Sequence, residues 1–519
     1  MQVLGDLVRK QSRLIPERVA LIDPLRDRTL TYGELFDRST QLASALTRLG
    51  LNRGDRVAMM LSNCHVSAEL IFGITRAGLI MVNVNERLRA AEVEFILADS
   101  GAEAIITEKS FTGLIRGIAP ALPGLKHLVS IDSEAGWLDF EELLAAESED
   151  ALDELTEPDD TAVLIYTSGT TGKPKGVELT HRSLMFTAAN FLIEAMHERD
   201  GTYLACMPYF HVVCVPHMAA LMRGLRVVVT PFDLGRVVEL IERYQITDAF
   251  FVPTMIALLL QAEELRSQHD LSSLRTILYA AAPMPVAVLR RALATFGPIF
   301  CQMYGLTESS SLSTILNKDE HVVDGGEEWT ARLASCGREV TRVEVRVLRL
   351  DGAEANTGEM GEIAIRGENL MKGYWGRPEA TAESLREGWF HTGDMGKRDG
   401  AGFIYILDRK NDMIITGGFN VYPREVEEIL FMHPAVLETA VIGIPDETWG
   451  ETVLALLVLR PDCVASTEEM IAYCAERLAD YKKPRQVKFL DALPRSAAGK
   501  IDKLALRADY WKSQERQVV

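Results

Sequence analysis

The sequence predicts an α/β protein with a large N-terminal domain of helix-covered, mostly parallel sheets and a small β-barrel, followed by a small, mobile α+β domain at the C-terminus. Short apolar strands alternate with helical segments through the first part of the chain, which is the pattern of parallel sheets covered by helices. From Val343 onward the strands are short and alternating and are separated by Gly and Asp turns, as in a small antiparallel barrel.

The N-terminal elements are expected in a regular order. Residues 1–50 are expected to form helices around a strand pair at 20–23 and 29–31, and a further helix is expected at 66–78. Apolar stretches of strand length follow at 55–61, 79–84, 104–107, 162–166, 227–229, 249–252 and 276–279. The acidic stretch between residues 139 and 160 has no such pattern and is expected to be a solvated connector.

The last third of the chain is expected to contain barrel strands and then a compact tail. The barrel strands are expected at 344–350, 361–366 and 402–407, and the tail at 423–432 (helix), 438–443 and 452–459 (strands) and 467–478 (helix). The charged segment 408–412, Asp-Arg-Lys-Asn-Asp, is interpreted as a hinge rather than a strand interior. The predicted domains are therefore residues 1–410 and 411–519.

Composition restricts the classes of partner. The chain has 519 residues and a net charge of −19, which argues against a general binder of nucleic acid or of anionic membranes. Its seven cysteines are scattered and have no Cys-x-x-Cys spacing, which is typical of reduced cytosolic thiols. The first residues do not have the pattern of a signal peptide, and no apolar run is long enough for a transmembrane segment. A cytoplasmic location is expected.

Residues 167–176 are the strongest functional signal in the sequence. They read Thr-Ser-Gly-Thr-Thr-Gly-Lys-Pro-Lys-Gly and follow a buried strand. Glycines allow backbone N–H groups to approach an anion, hydroxyls donate further hydrogen bonds, and lysines add positive charge, so the loop is predicted to hold a polyphosphate. A surface linker is the ordinary alternative for such a composition. The spacing is not that of a Walker A motif, and no Gly-x-Gly-x-x-Gly follows an early strand.

Three later segments contain candidate site residues, although each is weak alone. Tyr304-Gly-Leu-Thr-Glu308 follows a strand, so its ring can stack on a purine and its carboxylate can hold Mg²⁺ beside phosphates. Asp394, in a Thr-Gly-Asp sequence interpreted as a turn, can accept ribose hydroxyls. Lys500, in a flexible loop that starts at Pro494, can neutralise charge that develops on phosphate. A core tyrosine, an ordinary turn and a surface lysine are the alternatives.

Taken together and in this order, these segments resemble the adenylate-forming superfamily, with acyl-CoA and aryl-CoA ligases, luciferases and peptide-synthetase adenylation domains. The resemblance covers nearly the whole chain and is nearest to bacterial fatty acyl-CoA ligases. It implies an enzyme that uses ATP and Mg²⁺ to convert a carboxylic acid into an acyl adenylate and then transfers the acyl group to CoA.

The resemblance also assigns roles to residues. Lys500 would bridge the carboxylate and the α-phosphate, Thr307 would contact the α-phosphate, and Glu308 would be the metal ligand. The nucleotide and CoA would be held by the residues of the matching motifs, which are Thr167, Ser168, Gly169, Thr170, Thr171, Gly172, Lys173, Lys175, Ala281, Ala282, Tyr304, Asp394, Arg409, Gly417 and Gly418. Rotation of the small domain would exchange Lys500 for Gly417 and Gly418. The hinge residue of the family is usually Asp or Lys, whereas here it is Asn411.

The acid is the least determined substrate. His211, in Pro-Tyr-Phe-His, resembles the residue that lies beside the carboxylate, and the missing acidic residue at this position argues against an amino acid. The expected pocket wall is mainly apolar or small: Val212, Val213, Met255, Tyr279, Ala280, Gly305 and Ser309, Ser310 and Ser311. A medium- or long-chain fatty acid is favoured, an aryl acid such as a coumarate or ferulate is the alternative, and a binding protein without turnover is the third hypothesis. A homodimer is one option for the assembly.

Overall fold

The computed structural model describes residues 3–146, 156–167, 174–196, 198–282, 284–349, 351–409, 412–417, 419–446, 448–495 and 500–511. Most of the predicted phosphate loop, at 168–173, therefore lies outside the described residues, as do Gly418 and the hinge residue Asn411. Within the described ranges, no helix is both long enough and apolar enough to cross a membrane.

The helices are mostly short, and several start at a side chain that caps their free N–H groups. Thr31 accepts a hydrogen bond from the N–H of Glu34 at the start of the second helix, and Ser466 does the same for Glu469. The α-helices are α1 Leu4–Leu14, α2 Tyr32–Arg48, α3 His65–Arg76, α4 Ala90–Ser100, α5 Lys109–Ile118, α6 Phe140–Ala145, α7 His181–Glu194, α8 Val215–Arg223, α9 Leu234–Tyr244, α10 Pro253–Gln261, α11 Glu263–Ser267, α12 Val286–Phe296, α13 Glu327–Arg332, α14 Pro378–Ser384, α15 Pro423–Phe431, α16 Thr467–Ala475 and α17 Lys503–Ala508.

The strands are rich in β-branched and apolar residues, which suits the pleated, buried surface of a sheet. They are β1 Val19–Asp23, β2 Arg28–Thr31, β3 Arg56–Met60, β4 Ile80–Asn83, β5 Ala104–Thr107, β6 His127–Ser130, β7 Leu138–Asp139, β8 Thr161–Thr167, β9 Lys175–Thr180, β10 Thr202–Ala205, β11 Arg226–Val229, β12 Asp248–Phe251, β13 Thr276–Tyr279, β14 Phe300–Tyr304, β15 Thr314–Leu316, β16 Arg338–Glu339, β17 Glu344–Leu348, β18 Met360–Arg366, β19 Gly373–Tyr374, β20 Leu385–Arg386, β21 Trp389–Arg398, β22 Ile404–Arg409, β23 Ile414–Thr416, β24 Phe419–Val421, β25 Val436–Asp446, β26 Gly450–Leu459 and β27 Gln486–Phe489.

Two large sheets form the N-terminal part. One has nine strands in the order β16-β15-β14-β13-β12-β10-β11-β1-β2, and the other has eight in the order β19-β9-β8-β4-β3-β5-β6-β7. The pairs in the middle of both sheets are parallel, whereas β8 and β9 on either side of the phosphate loop pair in antiparallel fashion. The chain passes from the nine-stranded to the eight-stranded sheet after β2 and returns after β9, and β19 later adds to the eight-stranded sheet.

Two smaller sheets complete the fold. Strands β17, β18, β21 and β20 form an antiparallel sheet to which β22 adds, and β24, β23, β26 and β25 form the C-terminal sheet with β27. One apolar cluster runs from Leu4 to Ile404 and joins the N-terminal sheets, whereas Ile414, Val441 and Val453 belong to a separate cluster. The predicted α/β class, with a barrel-like antiparallel sheet and a smaller C-terminal unit, is confirmed.

One local interpretation was wrong. Thr392 to Asp394 is not a separate turn but an irregular part of β21. Gly393 has a positive φ of 70°, the pairing with β18 shifts register between His391 and Met395, and the pairing with β22 shifts between Met395 and Gly396. Asp408 and Arg409, the first residues of the predicted hinge segment, are the last residues of β22, and the hinge at Asn411 stays a prediction because that residue lies outside the described ones. Both segments therefore present their side chains from a sheet, which fixes their positions better than a turn would.

Several buried histidines make the stability of this fold depend on pH. Burial lowers the pKa of His181, His211 and His321 to about 4 and that of His217 to about 3. A histidine in the unfolded chain titrates near 6.5, so between pH 6.5 and pH 4 the unfolded chain binds more protons than the folded one. The contribution of these neutral histidines to the free energy of unfolding is complete above pH 6.5 and is lost as the pH falls from 6.5 to 4.

Replacing His217 by phenylalanine should flatten this dependence. Among the described residues, neither ring nitrogen of His217 has a hydrogen-bond partner. Its ring packs edge-on against that of Tyr209 with centroids 5.0 Å apart, a contact that phenylalanine keeps. We expect His217→Phe to be as stable as the original protein or more stable at pH 8. Between pH 6.5 and pH 4, its free energy of unfolding should fall less steeply with pH, by up to about 1.4 kcal/mol per pH unit. Denaturant unfolding at several pH values measures both, and parallel curves for the two proteins would contradict the assignment.

Candidate active site

A buried carboxylate lies where β14, β21 and β22 meet. The hydroxyl of Tyr304, the last residue of β14, donates a hydrogen bond of 2.7 Å to Oδ2 of Asp394. Nε of Arg409 lies 2.7 Å from Oδ1 of the same carboxylate, because Asp394 and Arg409 face each other in the β21–β22 pair. Three of the segments singled out in the sequence therefore converge on one side chain.

The environment of Asp394 sets its charge. The side chain is almost completely buried, and burial raises its pKa, whereas Arg409 and the Tyr304 hydroxyl act in the opposite direction. Arg409 has a raised pKa, chiefly because of Asp394, and remains partly open to solvent. Each carboxylate oxygen still has a lone pair free after these contacts. Asp394 can thus accept further hydrogen bonds from hydroxyl groups of a ligand.

Glu308 lies in a short 3-10 turn at residues 307–309, directly after the loop that follows β14. Its Oε1 accepts a hydrogen bond of 3.0 Å from the hydroxyl of Tyr374. The ring of Tyr374 also lies beneath the ammonium group of Lys175, which is 5.1 Å from the ring centroid. Lys175 begins β9 at the end of the phosphate loop, so this tyrosine links the loop to the carboxylate.

Lys500 joins the same site from the C-terminal unit. The pKa of its ammonium group is lowered, first by desolvation and then by the positive charge of Arg409. Asp394 and Glu308 lie close enough for their negative charges to oppose this lowering. The side chain nevertheless keeps an exposed surface. The loop that carries it is closed at its base by pairing of Arg495 with Ile501.

His211 lies near Lys500 and Arg87. Desolvation lowers the pKa of its imidazole to about 4, with further contributions from the positive charges of Lys500 and Arg87. Its ring packs against that of Phe210, with centroids 4.4 Å apart. His211 is therefore neutral at physiological pH and presents a polar but uncharged group beside two cations.

The other predicted binding residues lie in different parts of the fold. Ala281 and Ala282 are exposed in the turn after β13, and Ala281 has a positive φ of 72°. Gly417 donates its N–H to the carbonyl of Trp449 at 2.8 Å, and a Cβ there would lie 2.7 Å from the Trp449 ring. Thr167 ends β8. The remaining ones lie outside the described residues: Ser168, Gly169, Thr170, Thr171, Gly172, Lys173 and Gly418.

The expected acid-pocket wall is only partly supported. Tyr279 is fully buried in the core under the nine-stranded sheet, where its hydroxyl pairs with Nε2 of His321 at 3.0 Å, and Met255 packs against the same core. Core packing accounts for both. Gly305 is different, because a Cβ there would lie 2.4 Å from the backbone of Ser311, so the loop after β14 is closely packed.

Two residues near the site were not predicted from the sequence. Tyr374 belongs to the Gly-Tyr-Trp-Gly-Arg-Pro-Glu stretch at residues 373–379, and Arg87 follows β4 in a polar loop. A tyrosine within a glycine-rich stretch after a barrel strand was the only local signal for the first. No local signal indicated the second.

Comparison with known proteins identifies the family. The model of the AMP-binding enzyme family matches residues 8–375, and that of the AMP-binding enzyme C-terminal domain matches residues 425–500. The chain belongs to the AMP-binding enzyme family. The predicted membership of the adenylate-forming superfamily is thus confirmed, and so is the predicted class of AMP-forming acid–thiol ligases.

Relatives of this AMP-binding enzyme act on different acids. It is 38% identical over 515 residues to a feruloyl-CoA synthase of an Amycolatopsis species, with 98% of this chain and 99% of that protein covered. It is 36% identical, with the same coverage, to the long-chain-fatty-acid–CoA ligase FadD13 of Mycobacterium tuberculosis. The anthranilate CoA ligase AuaEII in complex with anthranoyl-AMP superimposes with a TM-score of 0.89 at 28% identity, over 98% of this chain and 97% of that one.

The residues present fit a nucleotide with a magnesium ion. Mg²⁺ commonly takes one or two carboxylates from the protein and the rest of its ligands from phosphates and water. Glu308 supplies such a carboxylate. Its Oε1 accepts the hydrogen bond from Tyr374, so Oε2 is the oxygen that would bind the ion. Across the described ranges, no cluster of three or more His, Cys, Asp or Glu side chains could hold a metal ion.

The Asp394–Arg409 pair should control nucleotide binding and its pH dependence. In Arg409→Met the pKa of Asp394 should rise further, because the opposing charge is lost while burial remains. We expect the KM for ATP to rise about tenfold, and the loss to grow as the pH falls, because the protonated carboxyl accepts hydrogen bonds poorly. Initial rates at several pH values measure this.

Arg398→Met is the matched control. Arg398 lies on β21, the strand that also contains Asp394, and its Nη1 lies 3.1 Å from a carboxylate oxygen of Glu339. It should leave the KM for ATP within about twofold of the original value. An equal effect of the two substitutions would mean that general damage to the sheet, and not the loss of the Asp394 partner, is being measured.

Proposed function

We propose that the protein is an ATP-dependent acyl-CoA ligase that activates a carboxylic acid as an acyl adenylate and transfers the acyl group to CoA. The observation that best supports this proposal is the convergence of Lys500, Glu308, Asp394 and His211 from four separate segments. A site for nucleotide binding alone would have no need of a lysine on a separate unit beside both a ribose-binding carboxylate and a neutral histidine.

In the first half-reaction, a carboxylate oxygen of the acid attacks the α-phosphorus of ATP. A new P–O bond forms, the bond to the bridging oxygen of the β-phosphate breaks, and pyrophosphate leaves with that electron pair. The attacking group and the phosphorus centre both carry negative charge, so the Lys500 ammonium stabilises the transition state by lying between them. Thr307 contacts the α-phosphate, Thr167 and Lys175 face the outer phosphates, and Mg²⁺ bound to Glu308 would screen the phosphate charge.

Asp394 and Arg409 hold the ribose, and Tyr304 forms one wall for the adenine, with Ala281 and Ala282 beside it. The Tyr304 ring is 9% exposed, and its hydroxyl is fixed by Asp394 at 2.7 Å, so the ring is held rigidly. A rigid aromatic face reduces the entropy lost when a purine stacks on it. Residues 168–173 of the phosphate loop lie outside the described residues, so their contact with the phosphates stays a prediction.

In the second half-reaction, the CoA thiolate attacks the acyl carbonyl carbon and a C–S bond forms, while the C–O bond to the α-phosphate breaks and AMP leaves with that electron pair. We infer that residues 411–519 rotate relative to residues 1–410, so that Lys500 withdraws and Gly417 and Gly418 line the path of the thiol. The arrangement described here has Lys500 in the site and matches the first half-reaction. A cytoplasmic location and a homodimer remain predictions.

The acid is most simply a medium- or long-chain fatty acid. A neutral His211 offers no charge to a substrate amino group, and Val212 and Ala280 are apolar and nearly buried. An aryl acid is the second candidate, and the higher identity to a feruloyl-CoA synthase than to a fatty-acid ligase favours it. A panel of aliphatic and aryl acids, incubated with ATP, Mg²⁺ and CoA and analysed by mass, distinguishes the two. No acyl-CoA from any acid would contradict the proposed function.

Lys500→Ala should separate the two half-reactions. We expect adenylation to fall by at least about a thousandfold, because the charge that stabilises the transition state is lost, whereas thioester formation from supplied acyl-AMP should stay within about threefold. Pyrophosphate release and thioester formation are measured separately.

The exposed Lys488 on β27 provides the control, since Lys488→Ala removes a lysine from the same unit and should change neither rate. Equal loss of both half-reactions in Lys500→Ala would contradict the role given to this lysine.

A further inference from the structure

Tyr374 occupies a position between two charged groups that come from distant parts of the chain. Its hydroxyl donates to Oε1 of Glu308 at 3.0 Å, and the Lys175 ammonium lies 5.1 Å from the centre of its ring. The first contact orients a carboxylate, and the second places a cation over an aromatic face. The same side chain thus touches both the metal-ligand segment and the end of the phosphate loop.

The backbone around Tyr374 is fixed by the same two segments. Gly373 and Tyr374 form the short strand β19, which pairs with Glu178 and Val177 of β9. The N–H of Met371 donates to the carbonyl of Glu308 at 2.8 Å, so residues 371–374 connect Glu308 to the strand that leaves the phosphate loop. The position of the tyrosine is therefore set by pairing on both sides and does not depend on its own side-chain contacts.

We propose that Tyr374 is a positioning residue for adenylation, which holds the Glu308 carboxylate by one oxygen so that the other faces the metal ion of the bound nucleotide, and holds Lys175 toward the phosphates. This proposal rests on the proposed function only as far as nucleotide and metal binding. A carboxylate with one oxygen tied is restricted in rotation, so less entropy is lost when a metal ion binds to the other oxygen.

The backbone of Tyr374 has one further contact, because its amide N–H donates to the Thr381 hydroxyl at 2.9 Å. This contact holds the start of the tyrosine side chain next to α14.

The test is direct binding of Mn²⁺ in the presence of ATP and without any acid, followed by the EPR signal of the free ion. We expect Tyr374→Phe, which keeps the ring under Lys175 and removes only the hydroxyl, to weaken Mn²⁺ binding by about tenfold. Formation of the thioester from supplied acyl-AMP should stay within about twofold, and it shows that the variant is folded.

Tyr405→Phe is a closely matched control. The Tyr405 hydroxyl donates to Asp399 at 3.0 Å, and the Lys397 ammonium lies 5.8 Å from its ring centre, so the chemical setting is the same. These residues belong to the hairpin between β21 and β22, away from Glu308. Mn²⁺ binding by this variant should be unchanged within about twofold.

A second background tests whether Tyr374 acts through Glu308. In Glu308→Gln the metal-binding charge is absent, so adding Tyr374→Phe should cause no further loss of Mn²⁺ binding. Unchanged binding in Tyr374→Phe alone, or a tenfold further loss in the Glu308→Gln background, would overturn the proposal. Because no acid is present, neither result depends on which substrate the enzyme uses.

Discussion

The buried Asp394 carboxylate is the interaction on which the rest of the site depends. A carboxylate taken out of water is costly unless charged and hydrogen-bonded partners accompany it. Arg409 and Tyr304 meet this requirement at 2.7 Å each, and both come from strand ends whose positions are set by sheets. One buried carboxyl group thus ties together the ends of β14, β21 and β22, and these strand ends are the source of several of the residues proposed to bind the nucleotide.

The C-terminal unit is held against this centre by a limited set of polar contacts. The backbone N–H of Arg424 donates to Asp408 at 3.0 Å, and the pKa of Asp408 is raised to about 6 by burial. Within the unit, Lys503 pairs with Glu427 at 2.8 Å. The unit has its own apolar core, so few apolar contacts would break in the proposed rotation. A separate core joined by polar contacts is the construction expected of a rotating unit.

Sequence reasoning succeeded where the signal was local. The strand at 276–279 and the helix at Pro423–Phe431 were predicted almost to the residue, because apolar runs and a proline at a helix start are local patterns. It misjudged the backbone around Asp394, because a Thr-Gly-Asp sequence is typical of a turn, whereas here it lies inside a strand with Gly393 at a positive φ. It missed Tyr374, because the role of that residue depends on pairing with β9, nearly two hundred positions earlier, and no local pattern encodes such a register.

The charges at the site explain why one residue must come from a separate unit. Glu308 and Asp394 are balanced by Arg409 and Lys500, and of these four only Lys500 belongs to the C-terminal unit. In the rotation proposed above, withdrawal of Lys500 would remove one positive charge from beside these two carboxylates. Loss of that charge would weaken the binding of a polyanion such as pyrophosphate. The proposed movement of this one lysine would thus change which half-reaction the site favours, without any change in the residues proposed to hold the ribose.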